Sequence, residues 1–569
     1  MKGESGHGIG VSGSRFPVPG SRIFKGLSGS RIPSPESRIA SRIPSPGLHS
    51  ESRKKKVILG ASSGYLSTLA TNLISFVTVP ISLGYFGTDR YGALALVMTL
   101  AGYLACAGLG VPSACLMLAS RMTDRFMQLR VIARGTLVVC GSSMALMALI
   151  FLFRDSAAWG WALGRVPAEI AAEVRRAAFY AVILFLANLP LTPFLIGFVA
   201  IRKAHLERLY TTLSVNAYVV ALLATVHYHG NLADLALIRG GLGMLVSAAG
   251  AIHFLLSCKG EGRSVREALS ALREPIAGTE FSFGSLLADG RRFLATGIAV
   301  MIIWQTDNLV ISHFAGVGAV TPYQITFRLA TLAFVLFTAL SPSLLPMYGT
   351  AWVERDYRWI ETTGNKARRL SAFFGGLIWI GTMAFAEPVI NAWAGPAAFG
   401  GMLAVFALGG YGCSLSLTTP LYPLLTSQNR IRNIPVIMWL EAGINLLLSL
   451  FLVQSLGGGG VALGTFLASI LTALWLLPRE IGKQMEGRVT VHHRPVALHF
   501  CRAVVPAILA VLLVNALVHG LFYRLALNLA IICTYGLVSL RGREALKAGK
   551  RETEKAGKRE AGTAGNGEQ

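Results

Sequence analysis

The chain has 569 residues, of which 53% are hydrophobic and only 14% charged, and its mean hydropathy is +0.56. A soluble globular domain is about 25% charged, so this composition excludes a soluble protein and indicates an integral membrane protein. The net charge of +24 does not indicate a nucleic-acid partner, because the basic residues lie in the tails and in connections between apolar segments, where membrane topology places them.

The first 56 residues repeat a short unit, seen as "GSRIF", "GSRIPSP" and "SRIPSP". A Ser/Pro/Arg-rich segment of this kind cannot bury a core, so we predict that it is disordered. Its last residues, Ser52–Lys56, read "SRKKK". This cluster either fixes the topology as a cytoplasmic anchor or contacts anionic membrane lipids.

Apolar segments of near-spanning length follow the tail, each close to the ~20 residues that a membrane helix requires. Strands of a membrane barrel alternate in polarity and are about half as long, so we predict an all-α integral membrane protein with about fourteen transmembrane helices. The predicted spans are 57–83, 91–120, 131–153, 177–201, 210–228, 235–257, 293–314, 321–349, 369–390, 398–427, 434–453, 461–478, 497–518 and 521–540.

The connections between these spans alternate between two kinds. One kind is basic, as in "SRMTDRFMQLR" and "SQNRIRN", and the other is short and nearly neutral, as in "AGVGAV" and "QSLGGGG". By the positive-inside rule, both termini and the basic connections are cytoplasmic. The segment 154–176 is the exception, because it carries four arginines on the outer side.

A repeat with an offset of about 230 residues is visible in the membrane region. A shift of six helices preserves topology, so it predicts two six-helix lobes around a central cavity. The matched positions are Pro190, Pro193 and Asn216 in the first copy and Pro420, Pro423 and Asn445 in the second. We predict a tail at 1–56, a first lobe at 57–257, a cytoplasmic linker at 258–290, a second lobe at 291–478, two extra helices with their preceding loop at 479–540, and a charged cytoplasmic tail at 541–569.

Three segments carry a resemblance to a known family. They are "VPISLGYFGTDRYGALALVMTLAGYLACAGLGVPSA" at Val79–Ala114, "TDNLVISHFAGVGAVTPYQITFRL" at Thr306–Leu329 and "EAGINLLLSLFLVQSLGGGGVALGTFLAS" at Glu441–Ser469. The chain resembles the polysaccharide (O-antigen-type) flippases of the multidrug/oligosaccharidyl-lipid/polysaccharide exporter superfamily over roughly residues 57–480. The N-terminal tail has no counterpart in that pattern.

The resemblance implies a function in polysaccharide or lipopolysaccharide biosynthesis. It implies a non-enzymatic carrier in the bacterial inner membrane that moves undecaprenyl-pyrophosphate-linked oligosaccharide to the outer leaflet by alternating access. The family has a twelve-helix core, so helices thirteen and fourteen would be additions. The implied partners are the lipid-linked oligosaccharide and, in addition, a polysaccharide polymerase and assembly proteins.

Two charged residues flank the neutral turn "AGVGAV" at similar depth. Asp307 precedes the turn and Arg328 follows it, so the two could form a buried structural ion pair across one hairpin. Alternatively, Arg328 faces the cavity and binds the pyrophosphate through its guanidinium fork, as the resemblance favours, and Asp307 positions it. Gln324 and Gln305 would then donate hydrogen bonds to the sugars, and Arg239 would line the same cavity or extend to the membrane surface.

Glu441 is a second acid within the membrane region, and Asn445 lies on the same helical face. The pair could couple transport to a proton or sodium gradient, or it could be a hydrogen-bonded packing contact. We expect no cofactor and no metal: there is no P-loop, the seven cysteines are scattered, and "HHR" at 492–494 resembles a metal site only in residue type.

Two other functions are compatible with parts of the pattern. A multidrug antiporter of the same superfamily would share the fold, but a carrier of cations favours an acidic cavity, against which Arg328 and Arg239 argue. A membrane-embedded polysaccharide polymerase or glycosyltransferase needs a sizeable outer loop with catalytic charges. The longest outer loop, 154–176, contains no His or Cys.

Overall fold

A computed structural model describes residues 50–120, 122, 124–154, 156, 158–258, 283–427, 433–492 and 494–539. The predictions for residues 1–49, for most of the linker 258–290 and for the tail 541–569 lie outside these residues. Contacts between Cα atoms place Lys56–Gln569 in one compact unit.

The described residues form helices without any strand. Short 3-10 turns at Leu104–Gly108, Leu189–Leu191, Val317–Ala319, Pro396–Ala398 and Thr419–Leu421 separate some of them, and a π-helical turn covers Phe500–Val504. The helices are α1 Ser50–Tyr103, α2 Val111–Ala119, α3 Arg125–Leu152, α4 Ala158–Leu163, α5 Ala168–Asn188, α6 Thr192–Ala200, α7 Ala204–His227, α8 Leu232–Cys258, α9 Phe283–Ala315, α10 Val320–Ala330, α11 Leu332–Val353, α12 Tyr357–Trp393, α13 Gly401–Thr418, α14 Tyr422–Thr426, α15 Ile434–Leu471, α16 Ala473–Gln484, α17 Arg494–His499, α18 Val505–Leu517 and α19 Leu521–Ser539.

Within the described residues, eleven helical segments are long and apolar enough to cross a membrane. The chain is therefore a multi-pass membrane protein, and the predicted all-α class is confirmed. Two of the eleven segments each contain two predicted spans, because α1 and α15 both include a glycine with non-helical backbone angles. These are Gly87, with φ 75° and ψ 176°, and Gly457, with φ 55° and ψ −139°.

The kink at Gly457 folds α15 back on itself as a hairpin. A Cβ on Gly464 would lie 2.9 Å from the backbone nitrogen of Ser449. Residues 15 positions apart in a straight helix are about 22 Å apart, so the two arms of α15 must lie side by side. The predicted neutral turn "QSLGGGG" is thus the tip of a helical hairpin.

Three predicted boundaries need correction. The segment 154–176 is not a loop throughout, because α4 lies within it and α5 begins at Ala168. The predicted eighth span is interrupted at Thr331, between α10 and α11. The first helix begins at Ser50, before the predicted start at Val57.

The two copies of the sequence repeat are interrupted in the same way. A 3-10 turn at Leu189–Leu191 links α5 to α6, and a 3-10 turn at Thr419–Leu421 links α13 to α14. Each turn contains the first proline of its copy, and the second proline lies at the start of the next helix. Proline lacks the amide donor and clashes with the preceding helical turn, which explains why both helices break there.

The buried apolar residues fall into separate cores. Three clusters lie mainly in the first lobe, whereas the largest is built mainly from the second lobe and also includes residues of α1 such as Val79 and Leu83. Large apolar side chains remain exposed on the outside of the helices, Leu152 and Phe451 among them. This distribution suits lipid as the solvent, because helices satisfy their own backbone hydrogen bonds.

The last two helices pack on α12 through polar contacts. Asn515 and Asn528 donate to backbone carbonyls of α12 at 3.0 and 3.3 Å, and Arg524 pairs with Glu387 at 3.0 Å. The two additional helices are therefore attached to the second lobe.

Candidate functional site

A cavity of about 400 Å³ lies between the two lobes. Its walls come from α1, α7 and α8 of the first lobe and from α9 and α10 of the second lobe. Its lining includes four of the five residues predicted to bind substrate, namely Arg328, Gln324, Gln305 and Arg239, together with Asn216 of the sequence repeat. The described lining contains no acidic side chain.

The two arginines reach the cavity from opposite lobes. The guanidinium carbon of Arg239 lies 5.6 Å from the centre of the Tyr218 ring, as in a cation–π contact. Arg328 is exposed within the cavity, close enough to interact electrostatically with the phenol groups of Tyr91 and Tyr218. Within the described region, no hydrogen bond or ion pair occupies the guanidinium of Arg328, so its donors are available to a ligand.

A chain of amides connects the lobes at one wall of the cavity. Gln324 donates to Asn308 at 2.7 Å, and Asn308 donates to Thr99 of the first lobe at 2.8 Å. Tyr103 and Thr306 share a further hydrogen bond of 2.6 Å between the lobes. These contacts hold the side chain of Gln324 at the cavity wall. Gln324 lies one helical turn before Arg328, on the same face of α10.

Asp307 does not pair with Arg328. Its carboxylate accepts hydrogen bonds from Tyr323 and, at 2.8 Å, from Thr465, and it is only 4% exposed. The reason is helical geometry: Arg328 follows Tyr323 by five residues, which at 3.6 residues per turn rotates it by about 140° to the cavity side of α10. Among the described ion pairs, none joins the two residues, and Asp307 does not line the cavity.

Asn445 belongs to the hydrogen-bond network of Asp307, behind the cavity wall. Its side-chain oxygen accepts from Ser449 at 2.9 Å and from Thr465 at 3.3 Å. The second carboxylate oxygen of Asp307 is buried and has no hydrogen-bond partner among the described residues. A buried carboxylate, an amide oxygen and a hydroxyl thus converge where α9 packs against α15.

Glu441 lies apart from this network although it shares a helix with Asn445. It is 4% exposed, and the hydroxyl groups of Ser469 and Thr472 lie beside its carboxyl group. The structure therefore divides the predicted coupling pair. Asn445 joins Asp307, and Glu441 lies among hydroxyl groups between the arms of α15.

The lobes also contact each other at two places outside the cavity lining. In the turn-side contact, residues 88–92 of the first lobe meet residues 317–321 of the second. Thr321 donates to the carbonyl of Thr88 at 2.7 Å, and a Cβ on Gly92 would overlap the carbonyl of Val317. In the linker-side contact, a Cβ on Gly290 would lie 2.6 Å from the carbonyl oxygen of Leu109.

Metal ligands do not assemble in the part of the chain that the structure describes: no three His, Cys, Asp or Glu side chains form a group there. The imidazole of His492 instead pairs with Glu361 at 3.0 Å.

Several residues of the site were not predicted from the sequence. Tyr91, Tyr218 and Asn308 contribute polar groups to the cavity, and Tyr323 and Thr465 hold Asp307. Tyrosines and threonines are ordinary in membrane helices, so no pattern marks them. Asn308 is the exception, because its place directly after the buried aspartate would have marked it as a candidate.

Two helical lobes around a polar cavity form the architecture of this membrane protein. No family model matches the chain. Over 191 residues, it is 25% identical to a protein of Salmonella typhimurium named "Putative O-antigen transporter". This match covers 33% of the chain and 43% of the relative, so the chain spans less than half the length of that curated protein.

Solved structures show the same fold. The lipid II flippase MurJ, in an inward closed conformation, has a TM-score of 0.63 at 13% identity, over 85% of this chain and 99% of that one. An inward-facing multidrug resistance MATE family transporter of the MOP superfamily has a TM-score of 0.54 at 17% identity, over 74% of this chain and 96% of that one. The chain therefore shares the fold of these solved structures, in agreement with the resemblance seen in the sequence.

Proposed function

We propose that this protein is a flippase for undecaprenyl-pyrophosphate-linked oligosaccharide. The observation that carries the proposal is the charge of the cavity, which has Arg328 and Arg239 in its walls and no acidic side chain among its described lining residues. A doubly basic cavity suits a pyrophosphate, and the fork of a guanidinium matches phosphate oxygens. The similarity to a protein named as an O-antigen transporter supports the same substrate class.

The polar side chains of the cavity fit the sugars. Gln305, Gln324, Asn216 and Asn308 offer amide donors and acceptors, whereas Trp304 offers a flat apolar ring. In this proposal the pyrophosphate contacts the two arginines, the oligosaccharide occupies the polar cavity and the lipid tail stays in the bilayer. The chain then acts as a carrier and catalyses no covalent step.

We assign ion coupling to the network of Asp307, Thr465 and Asn445. The carboxylate oxygen of Asp307 that lacks a partner offers a binding position for a proton or a small monovalent cation. The network touches the cavity wall through Tyr323 on α10, the helix that carries Arg328. Neutralising Asp307 would therefore alter the packing of the helix that binds the pyrophosphate.

We infer a bacterial inner membrane location with both termini in the cytoplasm, because the basic connections mark the cytoplasmic side. A polysaccharide polymerase and assembly proteins are the expected partners, since they would use the exported oligosaccharide.

The proposal is tested by complementation in a strain that lacks its own flippase. Arg328→Ala is expected to reduce surface glycan with unchanged membrane levels, since a hydrogen bond to a charged group contributes ~1.5–3 kcal/mol, or roughly 10–100-fold in binding. Arg328→Lys should retain part of the activity. Arg175→Ala is the matched control, because Arg175 is exposed outside the cavity.

A multidrug antiporter is the second candidate, because the MATE transporter shares the fold and because a buried acid lies near the cavity. Efflux of a cationic dye from cells that express the protein distinguishes the two functions. Dye export that survives Arg328→Ala, together with no glycan from the wild type, would favour the antiporter.

A further inference from the structure

A second cavity, of about 280 Å³, lies inside the second lobe and is not part of the site between the lobes. Helices α12, α13, α15 and α16 form its walls, together with α17 and the π-helical turn. Its lining is apolar except for Arg368 and a few small polar side chains. Trp379, Gly410 and Phe466 line it, as do Leu417, Trp475 and Ala497.

The cavity is elongated along α12. Arg368 and Trp379 both line it, and they are 11 residues apart on the same helix, which corresponds to about 16 Å. At the Trp379 end, the rings of Trp379 and Phe466 meet edge to face at 5.5 Å, and both line the cavity. The length of about 16 Å is half the ~30 Å hydrocarbon core of a bilayer, which is the depth of one leaflet.

Arg368 lies at the polar end of the cavity, and no described residue supplies a counter-charge to it. It is 2% exposed. Its Nη1 donates a long hydrogen bond of 3.4 Å to the carbonyl of His492. Its Nε is buried and unpartnered, and none of the described ion pairs includes it. Burying a guanidinium without a counter-ion costs free energy, so an anionic ligand would stabilise this site.

The cavity is open on one side. Ala497 and Cys501 line it and are exposed, and 42% of Trp475 is exposed. Phe500 and Cys501 belong to the π-helical turn Phe500–Val504, a rare geometry that often occurs at functional sites.

From these observations we propose that the second lobe binds one anionic phospholipid of the surrounding leaflet, with an acyl chain in this cavity and its phosphate on Arg368. The depth of one leaflet, the apolar walls and the unpaired cation at the polar end each match one part of such a lipid. The proposal does not depend on the function proposed for the cavity between the lobes.

The test uses native mass spectrometry of the full-length protein, purified in detergent and titrated with phosphatidylglycerol or phosphatidylcholine. We expect one phosphatidylglycerol to be retained at least about tenfold more tightly than phosphatidylcholine, because the choline cation offsets the phosphate charge that faces Arg368. Arg368→Gln should remove this preference. Arg369→Gln is the matched control, because the adjacent arginine is exposed and does not line the cavity.

A second variant addresses the apolar part of the site. Ala497→Trp places a large side chain at the open side of the cavity and should reduce retention of both lipids. Equal retention of both lipids by the wild type would overturn the proposal, as would equal effects of Arg368→Gln and Arg369→Gln. Tighter, competing binding of undecaprenyl phosphate would also overturn it and would instead assign the cavity to the tail of a transported lipid.

Discussion

At the scale of single residues, Asp307 does not form the ion pair that its position in the sequence predicts. Its position opposite Arg328 across a short turn predicts an ion pair, but its partners are the hydroxyl groups of Tyr323 and Thr465. The two hydroxyl groups bind one carboxylate oxygen without a second buried charge, so a neutralised Asp307 would remain in place. Arg328 is thereby left free for a ligand within the described part of the chain.

This arrangement predicts different outcomes for the two buried acids. Asp307→Asn should abolish the response of transport to an imposed ion gradient, because the group that gains and loses charge is removed. Glu441→Gln should preserve that response, because Glu441 lies outside the Asp307 network. Uptake of lipid-linked oligosaccharide into proteoliposomes, with and without a proton or sodium gradient, measures both.

Protein levels and detergent-extracted stability of the two variants serve as controls. If Asp307→Asn transports normally with full gradient dependence, the coupling assignment fails. If only Glu441→Gln loses the gradient dependence, ion coupling belongs to Glu441, as the sequence predicted for the pair of Glu441 and Asn445.

At the scale of elements, glycines decide how closely the helices approach. Gly464 on the second arm of the α15 hairpin faces the backbone of Ser449 on the first arm, and the same hairpin carries Asn445 and Thr465. The close approach brings these two residues within hydrogen-bond distance. The shape of the hairpin thus determines the geometry of the Asp307 network.

A side chain at Gly464 should separate the arms of the hairpin. In Gly464→Val, the new Cβ would lie 2.9 Å from the backbone nitrogen of Ser449, which forces a backbone shift and costs about 1–3 kcal/mol of folding free energy. Thermal unfolding of the purified protein should therefore occur at a lower temperature. Gly443→Val on the first arm is the control, because no heavy atom lies within 4 Å of its Cβ position; an equal loss in both would contradict the packing argument.

At the scale of the whole molecule, the two lobes meet in a turn-side contact and a linker-side contact outside the cavity lining. Both contacts rely on glycine, with Gly92 against Val317 and Gly290 against Leu109. Around these glycines the turn-side contact also includes the hydroxyl group of Thr321 and the buried side chain of Val317. This arrangement fits alternating access, in which the contacts open in turn.

The turn-side contact should be opened selectively by Gly92→Ala, because the new Cβ overlaps the carbonyl of Val317. Ser75 lines the cavity, so Ser75→Cys in a background without native cysteines reports its accessibility. We expect faster labelling of intact cells by an impermeant maleimide in Gly92→Ala than in Gly84→Ala, whose Cβ position has nothing within 4 Å.

The same labelling checks the orientation of the chain. A rise seen only in inside-out vesicles would place the turn-side contact in the cytoplasm and reverse the proposed topology. No rise on either side would show that the Gly92 contact does not limit access to the cavity.

The sequence by itself determined the membrane class, the all-helical fold and the two-lobed repeat, because hydropathy and proline positions act locally along the chain. It also identified Arg328, Arg239, Gln305 and Gln324, since polar residues are costly in lipid and so stand out. Only the tertiary structure decided which of them share a cavity, that Asp307 binds Tyr323 and Thr465, and that Arg368 ends an apolar cavity. Those outcomes depend on the rotation of each helix about its axis and on contacts between helices far apart in the chain, which spacing along one helix does not fix.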